Sequence, residues 1–420
     1  MFIGHYAVAL AAKKSAADDE GNSTSKLDLA LATGNNATLF DNSGGSERAF
    51  TSSQLALMLL TFQCFSPGGR IGVALWNGRE TPGKGSSEHA PCLAGGMLHA
   101  LLRADNLLAT LHKNLMNKEQ AERFFRGDSW GRPVWELMPD GPADAEAVRN
   151  ASRTYLGRLV PLTRAIRFAD DGRSLILANG LEYASYADGW RESSATVVTR
   201  TVKGERVRVV LPASVEKAAW RELHALTVKG IGENPGGPAA LQNISPGDVA
   251  FDLWVGGLVA SQAKPVDTME SVFHVPTAML KDTSQMVYER GVHLANTAES
   301  RVRRAISVYH GALGDDLDRP EAKNRRLQVQ NKAATHFWTD IELAVPHLLE
   351  VADAPENLGT KPNWQKSLWG QSVRRASCTA YECACPHGTP RQIRAYAVGL
   401  NKLFAPTENI DAETPKGAEA

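Results

Sequence analysis

Three groups of residues in this chain could carry chemistry, and the first is a run that nearly forms a phosphate-binding loop. After a strand-like stretch, Gly78 is followed by four residues and then by Gly83 and Lys84. In a phosphate-binding loop the next residue is Ser or Thr, whose hydroxyl binds magnesium, and a helix follows. Here Gly85 follows the lysine, and Pro91 interrupts the segment that should be helical. Nucleotide binding is therefore the less favoured interpretation.

The second group is a cysteine–histidine run near the C-terminus. Cys378, Cys383, Cys385 and His387 have a C-x4-C-x-C-x-H spacing, whereas structural zinc is typically bound by C-x2-C pairs on a turn. The run continues a predicted helix that stops at Pro386, so we interpret these residues as thiols packed at a helix end. The sequence predicts no metal site here.

The third group is His89 with Cys92, which could form a nucleophile–base pair in one loop. A structural role in a loop or core is the commoner use of such residues. Neither the H-E-x-x-H spacing of zinc proteases nor the G-x-S-x-G nucleophile motif occurs in the chain. The residues alone therefore predict no catalytic site and no cofactor.

The sequence also predicts one helix with a glycine-rich loop on each side. Thr51 and Gln54 form a capping box ahead of the apolar run Leu55–Phe65, which predicts a helix. A polar segment with glycines, 33–45, precedes this helix, and Ser-Pro-Gly-Gly at 66–69 ends it. Glycine serves where a backbone turns with positive φ or where another chain must come close.

The remaining patterns up to residue 280 mix helix and strand. Alternating runs at 195–202 and 206–211 flank Lys203-Gly204, which predicts a β-hairpin. The other predictions are a helix over 95–117, loops over 126–152, a strand over 174–177 ended by a turn at Asn179-Gly180, and an apolar segment over 249–259 followed by a loop over 260–264.

From about residue 280 to 404 the apolar spacing is helical and predicts four helices. Pro346 should kink or end the second, and Thr389, Pro390 and Gln392 begin the fourth. The predicted fold class is α+β: a large mixed α/β N-terminal domain followed by an all-α four-helix bundle. The boundaries are a poorly defined segment 1–26, the mixed domain 27–280, the bundle 281–405 and a disordered tail 406–420.

Composition limits the functions to consider. The 46 Lys and Arg residues balance 46 Asp and Glu residues, which disfavours a protein that coats nucleic acid through global charge. Five cysteines in a chain of 420 residues are typical of reduced thiols. The apolar start has no basic residues before it and is too short to span a bilayer. We therefore expect a cytoplasmic protein without a membrane partner.

Basic residues cluster within the predicted bundle. Residues 281–404 contain 17 Lys and Arg against 13 Asp and Glu. Such clusters either follow a DNA phosphate backbone or form a solvated helix face, and the sequence leaves both interpretations open. The candidate backbone contacts are Arg301, Arg303, Arg304, Arg325 and Arg326.

Short motifs in a fixed order resemble the CasA family, the large subunits of the type I-E CRISPR complex called Cascade. They span about residues 27 to 405, whereas the start of the chain does not resemble the family's N-terminal segment. The motifs are GNNATLFDNSGG at 34–45, SPGGRIG at 66–72, YLGRLVPLTRAI at 155–166, Asn-Gly-Leu at 179–181, Gly256-Gly257 followed by Gln262, and AYECACPHGTPRQIRAYAVGL at 380–400.

The resemblance implies a function that the residues alone do not predict. Members of this family are not enzymes; they recognise the protospacer-adjacent motif (PAM) in double-stranded DNA, help to open it and recruit a helicase-nuclease in antiviral defence. The implied partners are the other Cascade subunits, CRISPR RNA, the DNA target and that helicase-nuclease.

The resemblance also assigns residues to the PAM contact. Phe40, Asp41 and Asn42 match the family's loop at the PAM end, and Arg173 falls where the family has a basic PAM-contacting side chain. Gln262 matches a glutamine wedge inserted beneath the PAM. The family's glycine loop, which approaches the minor groove, corresponds here to Gly68, Gly69 and Gly72.

Two alternatives belong to other functional classes. One is a cytosolic enzyme built on the His89/Cys92 loop or on the near-phosphate loop. The other is a helical adaptor without a nucleic-acid role. An enzyme requires titratable groups that converge in one pocket, whereas a CasA-like protein requires open loops along one edge and a basic helical face.

Overall fold

The structure is a computed structural model that describes residues 10–12, 22–28, 49–65, 71–83, 97–125, 130–170, 172–183, 192–229, 236–261, 264–315, 319–359 and 363–404. The chain forms two compact units, Met1–Leu280 and Lys281–Ala420. The first combines strands with helices, and the described elements of the second are helices. The α+β composition with a helical C-terminal part, as predicted from the sequence, is confirmed.

The first unit contains short helices and small antiparallel sheets. The helices are α1 (Ser52–Phe65), α2 (Leu107–Asn114), α3 (Lys118–Phe125), α4 (Ala145–Arg153), α5 (Tyr155–Arg158) and α6 (Leu223–Leu226). The strands are β1 (Leu10–Ala12), β2 (Asn22–Ser23), β3 (Ala74–Trp76), β4 (Arg79–Glu80), β5 (His99–Arg103), β6 (Arg164–Phe168), β7 (Ser174–Asn179), β8 (Val197–Val202), β9 (Glu205–Val210), β10 (Ala250–Ser261) and β11 (Lys264–Pro276).

These strands pair in four groups, in the orders β1-β3-β4, β2-β7-β6, β11-β10-β5 and β8-β9. The segment 1–26, predicted to be poorly defined, contributes strands to two of them. Leu10 of β1 pairs with Trp76 of β3, and Asn22 of β2 pairs with Leu175 of β7. Sequence pattern alone could not predict strands of two or three residues, because their partners lie more than 60 residues away in the chain.

Two hairpins turn at residue pairs with positive φ. Lys203 (φ 52°) and Gly204 (φ 88°) join β8 to β9, which confirms the hairpin predicted there. Asn77 (φ 48°) and Gly78 (φ 76°) join β3 to β4 in the same way. Both have the backbone of a type I′ turn, which suits the twist of paired strands. Because Gly78 reverses the chain between two paired strands, the described residues after it continue as strand β4 and do not form a phosphate-binding loop.

The helix predicted over 95–117 is wrong in its first half. Residues 99–103 form β5, which pairs with β10, and only then does α2 begin. Asn106 caps α2 by accepting the N–H of Ala109 at 2.9 Å. Apolar residues in a short stretch fit a helix or a buried strand equally well, and here the pairing with β10 decides between them.

Other predicted boundaries also move. Helix α4 lies within the predicted loops over 126–152, and Asp144 caps it. Strand β7 includes Asn179, and the chain continues without a turn because the Leu181 N–H donates to the Leu162 carbonyl at 3.0 Å. The loop predicted over 260–264 is shorter, since Ser261 and Lys264 are already paired in β10 and β11.

The second unit contains α7 (Asp282–Ala312), α8 (Pro320–Leu343), α9 (Val345–Asp353), α10 (Leu368–Ala384) and α11 (Pro390–Phe404). The break predicted at Pro346 is confirmed, because α8 ends at Leu343 and α9 begins at Val345. The predicted start at Thr389 is confirmed as well: its N–H donates to Gln392 Oε1 at 3.0 Å, and the Gln392 N–H donates to its hydroxyl at 3.3 Å.

Helix α7 contacts α8, α9, α10 and α11, and glycines allow the closest approaches. A Cβ on Gly291 would overlap Leu348 of α9, and the Gly291 carbonyl accepts the indole N–H of buried Trp369 at 3.0 Å. A Cβ on Gly399 would overlap the Tyr381 hydroxyl. Among the helices of the described residues, none combines the length and apolar composition that crossing a membrane requires.

Candidate nucleic-acid interface

Helix α1 separates two regions for which the sequence predicts DNA contact, and both of its ends are fixed. The predicted capping box forms at its start, where the Thr51 N–H donates to Gln54 Oε1 at 2.9 Å. At its other end the buried Gln63 amide accepts the N–H groups of Thr163 at 2.9 Å and Arg164 at 3.0 Å. It also donates to the Arg164 carbonyl at 2.6 Å. The amide thus bonds the backbone at the start of β6 as a neighbouring strand would.

Apolar packing holds the same helix over β6 and β7. Leu59 and Phe62 on one side of α1 meet the alternate residues of the two strands that face it. The cluster contains Leu27, Leu59, Phe62, Ile71, Ile166, Leu175 and Leu177, with Met58 and Phe168 packed against it. Burial of this size holds α1 firmly against the two strands.

Arg173 lies in the turn that joins β6 to β7, and its side chain is exposed. Gly172 has φ 68° in this turn, a left-handed conformation that glycine adopts without strain. The Arg173 carbonyl accepts the backbone N–H of Thr24 at 3.0 Å and its hydroxyl at 3.2 Å. Because a Cβ on Gly172 would lie 3.7 Å from Leu55 Cδ1, the turn sits beside the first turn of α1.

Gly72 lies toward the opposite end of β7. It is exposed, and an added Cβ there would meet no atom within 4 Å. The next residue, Val73, packs against Gly83, whose N–H donates to Asn179 Oδ1 at 2.9 Å at the last residue of β7. Arg173 immediately precedes the first residue of β7, a strand roughly 20 Å long. The structure thus attaches both residues to one layer without bringing them into contact.

Among the described residues of the first unit, β10 and β11 form the longest hairpin. It is paired from Ala250–Pro276 to Ser261–Lys264, with a bulge between Val259 and Ala260. Its base is buried in the core, and at the far end Val266 and Asp267 are exposed. Residues 262 and 263 connect the two strands. The position predicted as a wedge, Gln262, lies between these two strands in the sequence and outside the described residues.

The glycine pair of this hairpin has a packing role of its own. A Cβ on Gly256 would lie 2.6 Å from the Trp254 ring, which covers it on one face of the sheet. A Cβ on Gly257 would overlap the Met97 carbonyl and lie 2.8 Å from Ala213 Cβ on the other face. Both glycines thus let the hairpin pack closely against its neighbours in the core.

Most of the remaining site predictions lie outside the described residues. They are Phe40, Asp41, Asn42, Gly68, Gly69 and Gln262 in the PAM contact, together with His89 and Cys92 of the alternative enzyme site.

A buried polar cluster at the end of α1 was not predicted from the sequence. Arg158 forms an ion pair with Glu192, and His99 Nδ1 lies 2.8 Å from the Ser194 hydroxyl. Burial raises the pKa of the Cys64 thiol to about 11, with the nearby Glu192 carboxylate acting in the same direction. Burial also lowers the pKa of His99.

This cluster stabilises the end of α1 and does not activate the thiol. A thiol with a raised pKa is protonated at neutral pH and is a poor nucleophile. Arg158 and Glu192 are 34 residues apart in the chain, and His99 and Ser194 are 95 apart. No local pattern connects residues at such distances, so the sequence carried no signal for the cluster.

The five arginines predicted to follow the DNA backbone occupy α7 and α8. Arg303 is bound within the unit, because it pairs with Glu299 and its Nη1 donates to Asn331 Oδ1 at 3.0 Å. This contact fixes the register of the two helices and places the α8 arginines about 8 Å along the axis from Asn331. Arg304 and Arg325 are exposed, and Arg301 and Arg326 are half-buried.

The C-terminal thiols surround the junction of α10 and α11. Burial raises the pKa of the Cys385 thiol to about 12, and it raises the pKa of Cys378. Cys383 is exposed, and the His387 ring packs against Tyr396 at a tilt of 45°, with ring centres 4.6 Å apart. Among the described residues no group of three His, Cys, Asp or Glu side chains could hold a metal ion.

The described elements define a class of fold: a mixed α/β unit with small antiparallel sheets and a long hairpin, followed by a helical unit. The family described as CRISPR-associated protein Cse1 matches residues 10–378. The chain therefore belongs to the CRISPR-associated Cse1 family, which is also called CasA, and the resemblance found in the sequence is confirmed.

Individual relatives agree with this assignment. CRISPR-associated protein CasA/Cse1 of Thermus thermophilus is 24% identical over 379 residues, which cover 85% of this chain and 69% of the relative. The crystal structure of Cse1 from Acidimicrobium ferrooxidans superposes with a TM-score of 0.64 at 16% identity, over 94% of this chain and 76% of that one. A chain of a CRISPR RNA-guided surveillance complex gives a TM-score of 0.60 at 16% identity, covering 92% and 75%. These superpositions show a shared fold.

Proposed function

We propose that this protein is the large subunit of an RNA-guided CRISPR surveillance complex, Cascade, and that it recognises the PAM in double-stranded DNA. In this proposal it is not an enzyme: it promotes strand opening and helps to recruit the helicase-nuclease that cuts the DNA. Its partners are the other Cascade subunits, CRISPR RNA and the DNA target. The observation that carries the proposal is the family match over residues 10–378, which spans every loop assigned to the PAM contact.

Glycines without side chains suit the proposed approach to DNA. The minor groove of B-form DNA is about 6 Å wide, so only a backbone without bulky side chains can enter it. Gly72 is exposed and has open space around it, which leaves its backbone accessible. With Gly68 and Gly69 it would form the groove-reading loop, while Phe40, Asp41 and Asn42 would contact the PAM end. Because minor-groove reading is degenerate, we expect several PAM sequences to be accepted.

Strand opening is assigned to the long hairpin. Gln262 would be inserted beside the PAM, in place of the first base pair, and its amide would bond to the separated base edges. Unstacking one base step costs a few kcal/mol, and a paired antiparallel hairpin is stiff enough to act as the support. Arg173, exposed in the turn before β7, would add a contact at the PAM.

The two units would divide the DNA contact between them. Residues 27–280 would form the PAM-recognition domain, and residues 281–405 would form a four-helix bundle made by α7, α8, α10 and α11, with α9 as a short addition after Pro346. Exposed arginines of α7 and α8, led by Arg304 and Arg325, would follow phosphates without regard to sequence.

Substitution of Gly72 tests the proposal. We expect Gly72→Val to fold normally, because an added Cβ would meet no atom within 4 Å and Gly72 is exposed, yet to prevent the loop from entering the groove. Gly247→Val is the matched control, since Gly247 also has no atom within 4 Å of an added Cβ and lies in no proposed contact. Each variant is assembled with the other Cascade subunits and a guide RNA, and its affinity for duplexes with and without a PAM is measured.

The expected result is that Gly72→Val binds both duplexes alike, whereas Gly247→Val keeps the preference of the unaltered protein for the PAM. If Gly72→Val still discriminates, the glycine loop is wrongly assigned. If the unaltered protein does not assemble with the guide and the other subunits, the proposed function itself is wrong.

A further inference from the structure

Helix α2 exposes its three leucines to solvent, whereas its Thr110 and Asn114 face the protein, which reverses the pattern of an ordinary surface helix. None of its residues is buried. Its outward face carries Leu107, Leu108 and Leu111, with exposed fractions of 74%, 64% and 51%, and Leu115 follows at 53%. A contiguous group of exposed leucines of this kind marks an interaction site more often than a solvated surface.

Polar residues hold α2 in this orientation. Asn114 accepts the N–H of Leu102 at 2.9 Å and donates to the Leu102 carbonyl at 2.7 Å, so its amide pairs with the edge of β5. Thr110 accepts the N–H of Ala104 at 3.0 Å. Asn243 donates to the carbonyls of Lys113 at 2.8 Å and Leu115 at 2.9 Å. These bonds cover the edge strand and leave the leucines outside.

The apolar surface continues onto the adjacent sheet. Leu101, Trp254 and Val272 are directly opposite one another on β5, β10 and β11, so they form one row on the same face. On the same face of the sheet, two residues away along each strand, the next row is polar and consists of Arg103, Asp252 and His274. An apolar centre with a polar rim is the usual anatomy of a protein–protein interface, and tryptophan is common at its centre.

An open hollow lies between the row and α2. Its volume is ≈ 310 Å³, which is enough for one or two large side chains, and Leu107, Trp254 and Arg103 are among the residues that line it. Asp252 is already paired with His274 at 2.7 Å, and the Trp254 indole N–H donates to Glu270 at 2.7 Å. Within the described part of the chain, the guanidinium of Arg103 has no such partner.

The size and charge of this surface indicate its occupant. Its exposed apolar area is on the order of a few hundred Å², whereas a stable free-standing interface buries about 800 Å² on each partner. A dimer of this chain built on α2 alone would therefore be weak. The surface suits a protein that other contacts already hold nearby. The positive charge of Arg103 would pair with a carboxylate on that protein.

We propose that α2 and the Leu101–Trp254–Val272 row form a docking surface for another protein subunit of the surveillance complex. That subunit would place an apolar side chain in the hollow and a carboxylate against Arg103. This inference rests on the proposed function, because the partner is a subunit of the same complex.

The test compares exposed leucines in two places. Leu108→Glu and Leu111→Glu are assembled with the other Cascade subunits and a guide RNA, beside the control Leu343→Glu, whose leucine on α8 is 80% exposed. Incorporation is measured by size-exclusion chromatography and mass spectrometry, and thermal unfolding of each free variant checks its fold. We expect the two α2 variants to incorporate at least tenfold less than the unaltered protein, and the control to incorporate normally.

A photo-reactive phenylalanine analogue at position 111 gives a second readout that preserves the apolar surface. In the assembled complex it should cross-link to a protein subunit other than this chain. Normal incorporation of both α2 variants would overturn the docking surface while leaving the proposed function intact. A cross-link confined to a second copy, to another part of this chain or to nucleic acid would also overturn it. Failure of the unaltered protein to assemble would reject the proposed function and the docking surface together.

Discussion

Each of the two units is stabilised internally by a different kind of interaction. In the first unit, side-chain amides bond to backbone groups far away in the chain: Gln63 with Thr163 and Arg164, and Asn179 with Gly83. In the second unit, helices pack through apolar side chains and glycines such as Gly291.

The difference explains how irregular loops can be fixed in space. A loop leaves backbone N–H and carbonyl groups without partners, and burying them unpaired costs roughly 1–3 kcal/mol each. The side-chain amides of asparagine and glutamine can bond to a backbone donor and a backbone acceptor together. They can therefore supply the hydrogen bonds that a neighbouring strand would otherwise provide. The helical unit satisfies its backbone internally and therefore depends on packing. In the described residues, buried side-chain amides therefore stabilise irregular segments of the first unit.

The largest expected effect comes from removing Gln63. Gln63→Ala leaves buried groups of Thr163 and Arg164 without partners, so we expect the first unit to lose about 3–5 kcal/mol of its free energy of unfolding. Gln330→Ala is the control in the second unit, where the amide donates to the Arg303 carbonyl at 2.8 Å and should contribute about 1 kcal/mol. Hydrogen exchange measured by mass spectrometry reports each unit separately. Equal losses in the two units would contradict the comparison.

A smaller effect is expected from overpacking the helices. Gly399→Ala places a methyl group against the Tyr381 hydroxyl and 2.8 Å from the Ala305 carbonyl. We expect the second unit to lose about 1–3 kcal/mol, whereas Gly388→Ala, whose nearest neighbour would be 3.8 Å away, should change little. The same hydrogen-exchange measurement compares them. If Gly399→Ala left the free energy of unfolding of this unit unchanged, the packing around Gly399 would be loose.

The smallest effect concerns charge on the helical unit. If Arg304 contacts phosphate, Arg304→Glu should weaken DNA binding by the assembled complex for all sequences alike. It should also reduce the slope of affinity against salt by roughly one unit. Arg290→Glu is the matched control, because Arg290 is exposed on the same helix outside the two clusters. Salt titrations of duplex binding measure the slope for each variant. Identical slopes for the two variants would show that Arg304 is a solvated residue and makes no phosphate contact.

Sequence reasoning succeeded where the structural signal is local. The capping boxes at Thr51 and Thr389, the turn at Lys203-Gly204 and the break at Pro346 each depend on residues within a few positions of one another. Periodicity likewise predicted the helical character of the second unit. The chemistry of these residues is enough to fix the local backbone.

The failures involve partners distant in the chain. Leu101 and Leu102 fit a helix until β10 is brought alongside them. The ion pair of Arg158 with Glu192 and the pairing of Asn114 with a strand edge have no local pattern either. The candidate PAM residues were found through the family resemblance, because glycines and a single glutamine have many other uses in a loop.

Strand opening by Gln262 is the central proposal, and its most direct test is the rate of opening at the first base pair beside the PAM. A 2-aminopurine base at that position reports unstacking in a complex assembled with Gln262→Ala or with the unaltered protein. We predict initial binding near that of the unaltered protein but opening at least tenfold slower, because a cost of a few kcal/mol is no longer offset. A target already mismatched at that pair should open equally fast with both proteins. Normal opening of the fully paired target by Gln262→Ala would contradict the account.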